Sequence, residues 1–304
     1  MTGLTTIDGI DLFTEFGAFV SNYSELIAYP SLKEPDFNDW HEDDGIDVDM
    51  LEPALDSKEF DIQFAISEFN NIDALLELLS DGAYHTFVFN EISLTRSLRL
   101  ISHAKNKVLI HLGEFTLKFA DDYPLDGFSS DTSQLSTETS GFEIDDKDLF
   151  SYYNIHVLEG IQEDLSKSPD IKENMLINVK REPGATYDDG IVSFKSKKLE
   201  IKCFYQADIE SAGRYWWQSY YNLLYDMIQP QLRILYVDYQ QNEHSFYYDS
   251  AKVSKLNFTN NKIWIEFSIF LVLTSYRVGV DKVLSTEDGK IIVLEDRICA
   301  IDVN

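Results

Sequence analysis

Cysteine and positive charge are the two things this 304-residue chain has little of. Its two cysteines, Cys203 and Cys299, cannot build a disulfide framework, which excludes the small stapled secreted scaffolds. Lys and Arg number 25 against 53 Asp and Glu, a formal net charge of −28. Binders of nucleic acid or of anionic membranes carry the opposite sign, so tight phosphate binding is not expected. Long hydrophobic runs are missing too. The longest, from Ile263 to Leu273, is interrupted by Glu266 and Ser268 and is about half a membrane span, which makes it a strand. At the amino terminus Asp8, Asp11 and Glu15 break any apolar stretch of the kind a signal peptide needs, so a soluble, non-secreted protein is expected. What is present in quantity is apolar surface. A hydrophobic fraction of 44% with 13% aromatics excludes a disordered chain and supplies a sizeable core.

Three blocks recur in the same order. Asp11-Leu12-Phe13-Thr14-Glu15-Phe16-Gly17-Ala18-Phe19-Val20 reappears as Asp148-Leu149-Phe150-Ser151-Tyr152-Tyr153-Asn154-Ile155-His156-Val157. Asp43-Asp44-Gly45-Ile46 has its counterpart in Asp188-Asp189-Gly190-Ile191, and Ser57 to Phe64 in Ser196 to Cys203. The offsets lie between 137 and 145, too long for a solenoid and right for an internal duplication. Between the copies, residues 129–141 are rich in Ser and Thr and carry no period, as in a linker or a long surface loop. The expected division is a first domain over 1–128, a linker over 129–147, a second domain over 148–276 and a tail over 277–304.

Each copy is expected to open with extended segments, alternating clearly at Phe60 to Ile66 and at Leu199 to Tyr205. A helix follows. In the first copy Asn71 is placed to cap it, Ile72, Leu75, Leu76 and Leu79 share one face, and Gly82 stops it. In the second it is expected from about Asp208 to Asp226, ending by Pro230. More strands come next: 86–89, 107–112 and 115–119, then 232–239, 244–248, 251–258 and 263–273. The fold class is therefore α+β, mainly β. Lys282 to Leu294, turning at Asp288-Gly289, forms a C-terminal β-hairpin in this reading.

The second helix is aromatic almost all round. Trp216, Trp217, Tyr220 and Tyr221, with Leu223, Leu224, Met227 and Ile228, cover an arc of roughly 160°, and Tyr215 and Tyr225 extend it. One sheet hides only part of such a surface. The residue set fits either a core helix with amphipathic tyrosines at its rim or a helix whose outer side meets another subunit. Tyr215, Trp216, Trp217, Tyr220, Tyr221 and Tyr225 are thus the candidate subunit interface.

Signals for chemistry are sparse. The acidic run Asp36, Asp39, Glu42, Asp43, Asp44, Asp47, Asp49 invites calcium, but an EF-hand register on Gly45 puts Trp40 and Leu51 where acids are required. A looser calcium site and a solvated acidic loop remain. His41, His85, His103, His111, His156 and His244 show no zinc spacing, and no nucleophile elbow, phosphate loop or dinucleotide fingerprint occurs. Ser/His/Asp partners are not singled out by spacing. Tyr247 and Tyr248 offer rings on which sugars could stack. No catalytic residue, cofactor or metal is assigned.

The stretch Phe16-Gly17, Tyr29-Pro30-Ser31-Leu32-Lys33-Glu34-Pro35, Asp39-Trp40-His41-Glu42-Asp43-Asp44-Gly45 and Val48-Asp49 resembles structural tail proteins of long-tailed phages and prophages. More narrowly it is similar to distal-tail or baseplate-ring components in prophage-like elements of gut Bacteroidales. Leu284 to Gly289 with Val293 to Asp296 resembles tail segments of the same group. The resemblance implies two tail-tube-like units, each of packed antiparallel sheets with one flanking helix. It implies a non-enzymatic ring near the tail tip, a trimer or hexamer joining tube to baseplate around a DNA channel, with other tail proteins as partners. It also implies a place in the virion tail, assembled in the host cytoplasm, with DNA only as non-sticking cargo and no membrane or small-molecule substrate. The alternatives are a glycan- or receptor-binding module and a metal-dependent hydrolase.

Overall fold

In the computed structural model the described residues are 2–67, 72–108, 113–126, 128–131, 133–172, 176–177, 180–181, 183–184, 186–187 and 192–275. The first unit contains β1 (Thr5–Ile7), β2 (Ile10–Asp11), α1 (Leu12–Phe16), β3 (Ala18–Asn22), β4 (Phe37–Asn38), β5 (Asp47–Val48), β6 (Lys58–Ile66), α2 (Ile72–Leu79), β7 (His85–Phe89), β8 (Leu94–Val108) and β9 (Gly113–Asp121). The second begins with β10 (Phe142–Ile144), β11 (Lys147–Asp148), α3 (Leu149–Tyr153), β12 (Ile155–Val157), α4 (Ile161–Ser166), β13 (Leu176–Ile177) and β14 (Thr186–Tyr187). It continues through β15 (Lys197–Asp208), β16 (Glu210–Ser211), β17 (Arg214–Tyr215), α5 (Trp216–Met227), β18 (Arg233–Val237), β19 (Asn242–Thr259) and β20 (Lys262–Leu273). The fold is mainly β with a few helices, as the pattern predicts.

Alternation places the core. On β6, Phe60, Ile62, Phe64 and Ile66 are buried; on β15, Leu199, Ile201, Cys203 and Tyr205 are. The strands beside them repeat the pattern, with Phe115, Leu117 and Phe119 on β9 and Ile263, Ile265, Phe267 and Ile269 on β20. Burial of the free Cys203 thiol pushes its pKa up, consistent with an inert core residue.

Both sheets are seven-stranded and antiparallel, and their orders are the same once counterparts are exchanged: β2-β1-β7-β8-β9-β6-β3 and β11-β10-β18-β19-β20-β15-β12. The halves of each sheet are joined by one long strand. β8 pairs with β7 through Leu94–Leu98 and with β9 from Arg99 onward, and β19 plays the same part between β18 and β20. Curling of the sheet brings Phe87 of β7 edge-on to Phe119 of β9, ring centroids 5.1 Å apart.

The correspondence extends to single hydrogen bonds. Asp11 caps α1 through the Thr14 N–H at 2.7 Å, and Asp148 caps α3 through the N–H groups of Phe150 and Ser151, both at 2.9 Å. Each helix ends in a left-handed residue, Gly17 (φ 66°) or Asn154 (φ 59°), the two residue types that adopt it at least cost. Asp8 accepts from the Thr86 N–H and pairs with His85; Asp145 accepts from the Ile234 N–H and pairs with Arg233. Lys58 donates to the carbonyls of Leu26 and Ala28, and Lys197 to those of Asp164, Leu165 and Lys167.

Several sequence expectations are corrected. The recurring blocks at 11–20 and 148–157 are capped helices leading into short strands, because an aspartate N-cap outweighs the β-branched and aromatic content that follows. Each unit therefore has more than one helix. α5 starts at Trp216 and not at Asp208: β15 runs on to Asp208, and the chain then reverses through Ala212 (φ 52°) and Gly213 (φ 81°) between β16 and β17. The segments 244–248 and 251–258 are one strand, broken by irregularities at Tyr248/Ser250 and Val253/Lys255. Residues 142–144, inside the 129–147 linker of the expected division, form β10, which pairs with β18. The C-terminal hairpin at 277–304, the Asn71 cap and the block at 188–191 lie outside the described residues.

Asp148 also accepts from Ser140 and Gly141 and is buried, whereas Asp11 accepts from Gly3 alone besides its cap and is half-buried. Replacing Asp148 by Ala is expected to cost about 2 kcal/mol or more, and Asp11→Ala about 1 kcal/mol, in urea unfolding with an unchanged slope. Equal losses would show that the two caps are not distinguished by burial.

Candidate functional site: the aromatic helix between the units

α5 is closed at its start by the Tyr215 N–H donating to Gln218 Oε1 at 2.9 Å. One side lies on the second sheet. The Tyr205 hydroxyl donates to the Trp216 carbonyl at 2.7 Å, and Tyr220 packs against Tyr205 and Phe267 with centroids 5.3 Å away in each case. The opposite side meets the first unit. Tyr29 lies 4.6 Å from Tyr220 and 5.9 Å from Tyr221, ring to ring, and its hydroxyl donates to the Tyr220 carbonyl at 2.5 Å. Trp216 Nε1 donates to the Ile92 carbonyl at 2.6 Å and Trp217 Nε1 to that of Ser93 at 3.1 Å. The half-buried Arg96 guanidinium sits 4.9 Å over the Tyr221 ring, a cation–π contact.

Of the six aromatic residues expected to face another subunit, the structure places Trp216, Tyr220 and Tyr221 inside the chain, none more than 3% exposed. Their outer neighbour is the first unit of the same chain, which one sheet's failure to cover a 160° arc foreshadows. Tyr215, Trp217 and Tyr225 are half-buried at the rim. Tyr215 and Trp217 stack at 5.8 Å with planes 7° apart, and Tyr225 packs on Phe128 at 6.0 Å. Beside the stacked pair lies a groove of about 450 Å³, also lined by Asn90, Arg96, Asp126 and Phe128.

A second lock holds the acidic loop. Lys172, 3% exposed, donates to the carbonyls of Trp40 and Asp43 at 2.7 Å and of Gly45 at 2.6 Å, and pairs with Asp39 at 2.6 Å. The ammonium thus occupies the centre of the loop where a bound cation was the alternative. Among the described residues no group of three or more His, Cys, Asp or Glu is placed to hold a metal. Gly45 donates to the Phe194 carbonyl at 2.7 Å, and Ile46 to that of Thr274 at 2.8 Å. At Gly45 (φ 76°) a Cβ would fall 1.7 Å from the Thr274 carbonyl oxygen, so only glycine permits this approach. The Lys33 backbone occupies the counterpart position in the first unit, donating to Ala54 as Lys172 donates to Ser193, but its side chain is exposed.

The remaining sequence candidates disperse. His85 is buried between Asp8 at 2.7 Å and Asp81 at 3.2 Å, where the second unit has the Arg233–Asp145 clamp, which marks it as structural. Tyr248 turns inward, its hydroxyl donating to the Pro30 carbonyl at 2.8 Å; Tyr247 is half-buried. Sequence reasoning missed Tyr29, Arg96 and Lys172. Tyr29-Pro30 was visible only as a motif, and Lys172 carried no signal.

No known family matches the chain, and no curated protein does. Among solved structures it is similar to the crystal structure of the SPP1 Dit (gp 19.1) protein, described as a paradigm of the hub adsorption apparatus in Gram-positive infecting phages. The identity is 11%, the TM-score 0.33, and the match covers 89% of this chain and 98% of that one.

Replacing Lys172 by Met leaves three carbonyls without their donor, and each such loss costs about 1–3 kcal/mol. The variant is expected to unfold at least about 2 kcal/mol more easily and to be cut faster at residues 40–45 by a dilute protease; unchanged cleavage would remove the lock. The Tyr220 hydroxyl, by contrast, is buried without a hydrogen-bond partner. Burial raises its pKa well above the usual tyrosine value, with Tyr221 adding to the effect. Tyr220→Phe is therefore expected to be neutral or to stabilise by about 1 kcal/mol, read from the shift in unfolding midpoint, while Trp216→Ala costs about 3–5 kcal/mol.

Proposed function

We propose that this chain is a non-enzymatic structural component of a phage or prophage tail, a ring element near the tail tip that joins tube to baseplate around a DNA channel. The observation that carries the reading is the junction itself. One unit lays its Tyr29 turn and its 36–49 loop on a different surface of the next, the aromatic helix and the Lys172 pocket. A contact between unlike surfaces is heterologous, and heterologous contacts propagate into rings when the rotation closes. Two units of one plan, derived in this reading from a duplication, already carry out one step of such a ring. Three chains then supply six units; a hexamer with one unit in the ring and one outside is the other stoichiometry of this reading. The resemblance of the first block to tail proteins of prophage type supports the same assignment. Other tail proteins are the partners, DNA is passing cargo, and assembly takes place in the host cytoplasm.

A glycan-binding role is the second reading, favoured by the stacked Tyr215–Trp217 pair beside the 450 Å³ groove with Asn90, Arg96 and Asp126 at hand. Negative-stain microscopy and sedimentation at high protein concentration, with and without the other tail proteins, test the first. Annular particles are expected, and a strict monomer in both conditions overturns the ring. A glycan array tests the second: selective binding that is lost in Trp217→Ala would displace the structural reading.

A further inference from the structure

The first unit holds the second at an irregularity in a strand. β19 leaves β18 at Phe246 and pairs onward with β20. Asp249 is bulged there, between the Tyr248–Leu271 and Ser250–Phe270 pairs, and has no place in that register. Its carbonyl accepts the Leu32 N–H at 2.9 Å, beside the bond from the Tyr248 hydroxyl to the Pro30 carbonyl. Leu32 is left 8% exposed.

Both sides of this contact have counterparts, and neither counterpart is in use. β8 leaves β7 at Leu98 in the same way and bulges at Ile101, between the Leu100–Phe119 and Ser102–Lys118 pairs. Ile101 thus stands where the second unit has Asp249. It is 37% exposed, and no turn or loop donates to its carbonyl among the described residues. The counterpart of Leu32 is Ile171. Leu32 bridges Leu55, and Ile171 bridges Phe194. The flanking bonds from Lys33 to Ala54 and from Asp56 to Ser31 recur from Lys172 to Ser193 and from Lys195 to Asp170. A proline stands two residues earlier in each turn, Pro30 or Pro169. Yet Ile171 is 50% exposed, and its N–H has no partner among the described residues. Lys33 repeats the pattern, being exposed where Lys172 is closed over by the 40–45 carbonyls.

We infer that the two unused halves meet between copies. The Pro169–Ile171 turn of one chain docks on the β8 bulge of the next, the Ile171 N–H donating to the Ile101 carbonyl and the two isoleucine side chains packing together. The inference rests on the ring reading above and names the contact that carries it from chain to chain, with both units of every chain taking part. The occupant is argued from the chain itself, since a turn of this build already docks on a bulge of this kind once within each copy. A contact between unlike surfaces uses each surface once per copy and therefore propagates. Side chains agree with this. Asp249 pairs with Lys198 at 3.9 Å, whereas its counterpart is an apolar residue facing water, as Ile171 is. Ser168 stands where the first unit has Tyr29, so the contact between copies lacks the ring that anchors the junction and is the weaker of the two. Closing a ring makes the last such contact intramolecular, which raises its effective concentration.

Thiol cross-linking tests the pairing with the whole chain, in a Cys299→Ser background and with Cys203 buried. Ile171→Cys and Ile101→Cys chains mixed at high concentration with a short bis-maleimide are expected to give linked dimers at least about tenfold above either variant alone, because unlike surfaces meet. Equal yields from one variant alone overturn the pairing. Ile171→Asp and Ile101→Asp are each expected to weaken self-association at least about tenfold while keeping the circular dichroism spectrum, since each places a charge in an apolar contact. Unchanged association in both overturns the proposal, and equal weakening by Ile234→Asp, 41% exposed on β18, overturns the choice of surface. Annular particles that form without the 171–101 link leave the ring standing and remove this contact. Linked dimers whose doubly substituted chain, Ile171→Cys with Ile101→Cys, builds only open strings keep the contact and remove the ring. A mixture that neither links nor assembles overturns both.

Discussion

Everything in this chain is organised around one helix that two sheets must share. α5 carries too much aromatic surface for its own sheet, and the excess is buried by the Tyr29 turn and the Ile92–Arg96 corner of the first unit. Burial of large rings of this kind contributes several kcal/mol per side chain and is not divisible between independent domains. The backbone bonds from Trp216 and Trp217 to Ile92 and Ser93 add direction to that burial. Position of the two units is thereby fixed, and the Lys172 lock around the 40–45 carbonyls follows from it, because the loop reaches the second unit only when the helix has set the distance.

Having one plan twice in a chain separates what the fold requires from what it does not. The aspartate caps, the left-handed residues after them, and the lysines reaching into turn carbonyls are present in both units and are explained by local hydrogen bonding. His85 and Arg233 fill the same clamp, so a histidine between two carboxylates, which alone would suggest proton transfer, is a variant of an arginine salt bridge. Burial pushes the Lys58 pKa down to about 7, with Arg96 adding to the effect, and moves that of Lys197 in the same direction. That two equivalent lysines share the environment places its cause in the fold.

The fold was largely legible because its core strands alternate without interruption; Phe60 to Ile66 and Leu199 to Tyr205 could be placed from period alone. Recurrence of short blocks was legible too, and those at 11–20 and 57–64 fall at places corresponding to 148–157 and 196–203 in the two sheets. The start of α5 was not, since Asp208 to Tyr215 has no helix breaker before Gly213 and the reversal at Ala212 depends on a positive φ that no alanine announces. Nor was the partner of the aromatic helix. Composition showed that something must cover Tyr220 and Tyr221, but whether that something belonged to this chain or to another is a matter of which surfaces the topology brings together. Lys172 is the clearest case: a lysine beside a loop of acids looks like solvent decoration until three carbonyls are found pointing at it.

The net charge of −28 takes on a direction once the faces are separated. Acid is displayed on the loop at 36–49, whereas on the outer side of β15, β19 and β20 the lysines are matched by Glu200, Asp208, Glu243, Asp249 and Glu266. In the proposed ring a balanced face of that kind, turned toward a DNA channel, would offer phosphate no excess of positive charge to bind by counterion release. The uncompensated negative charge would then lie on the other surfaces, which repel DNA at long range and keep such a channel from holding it.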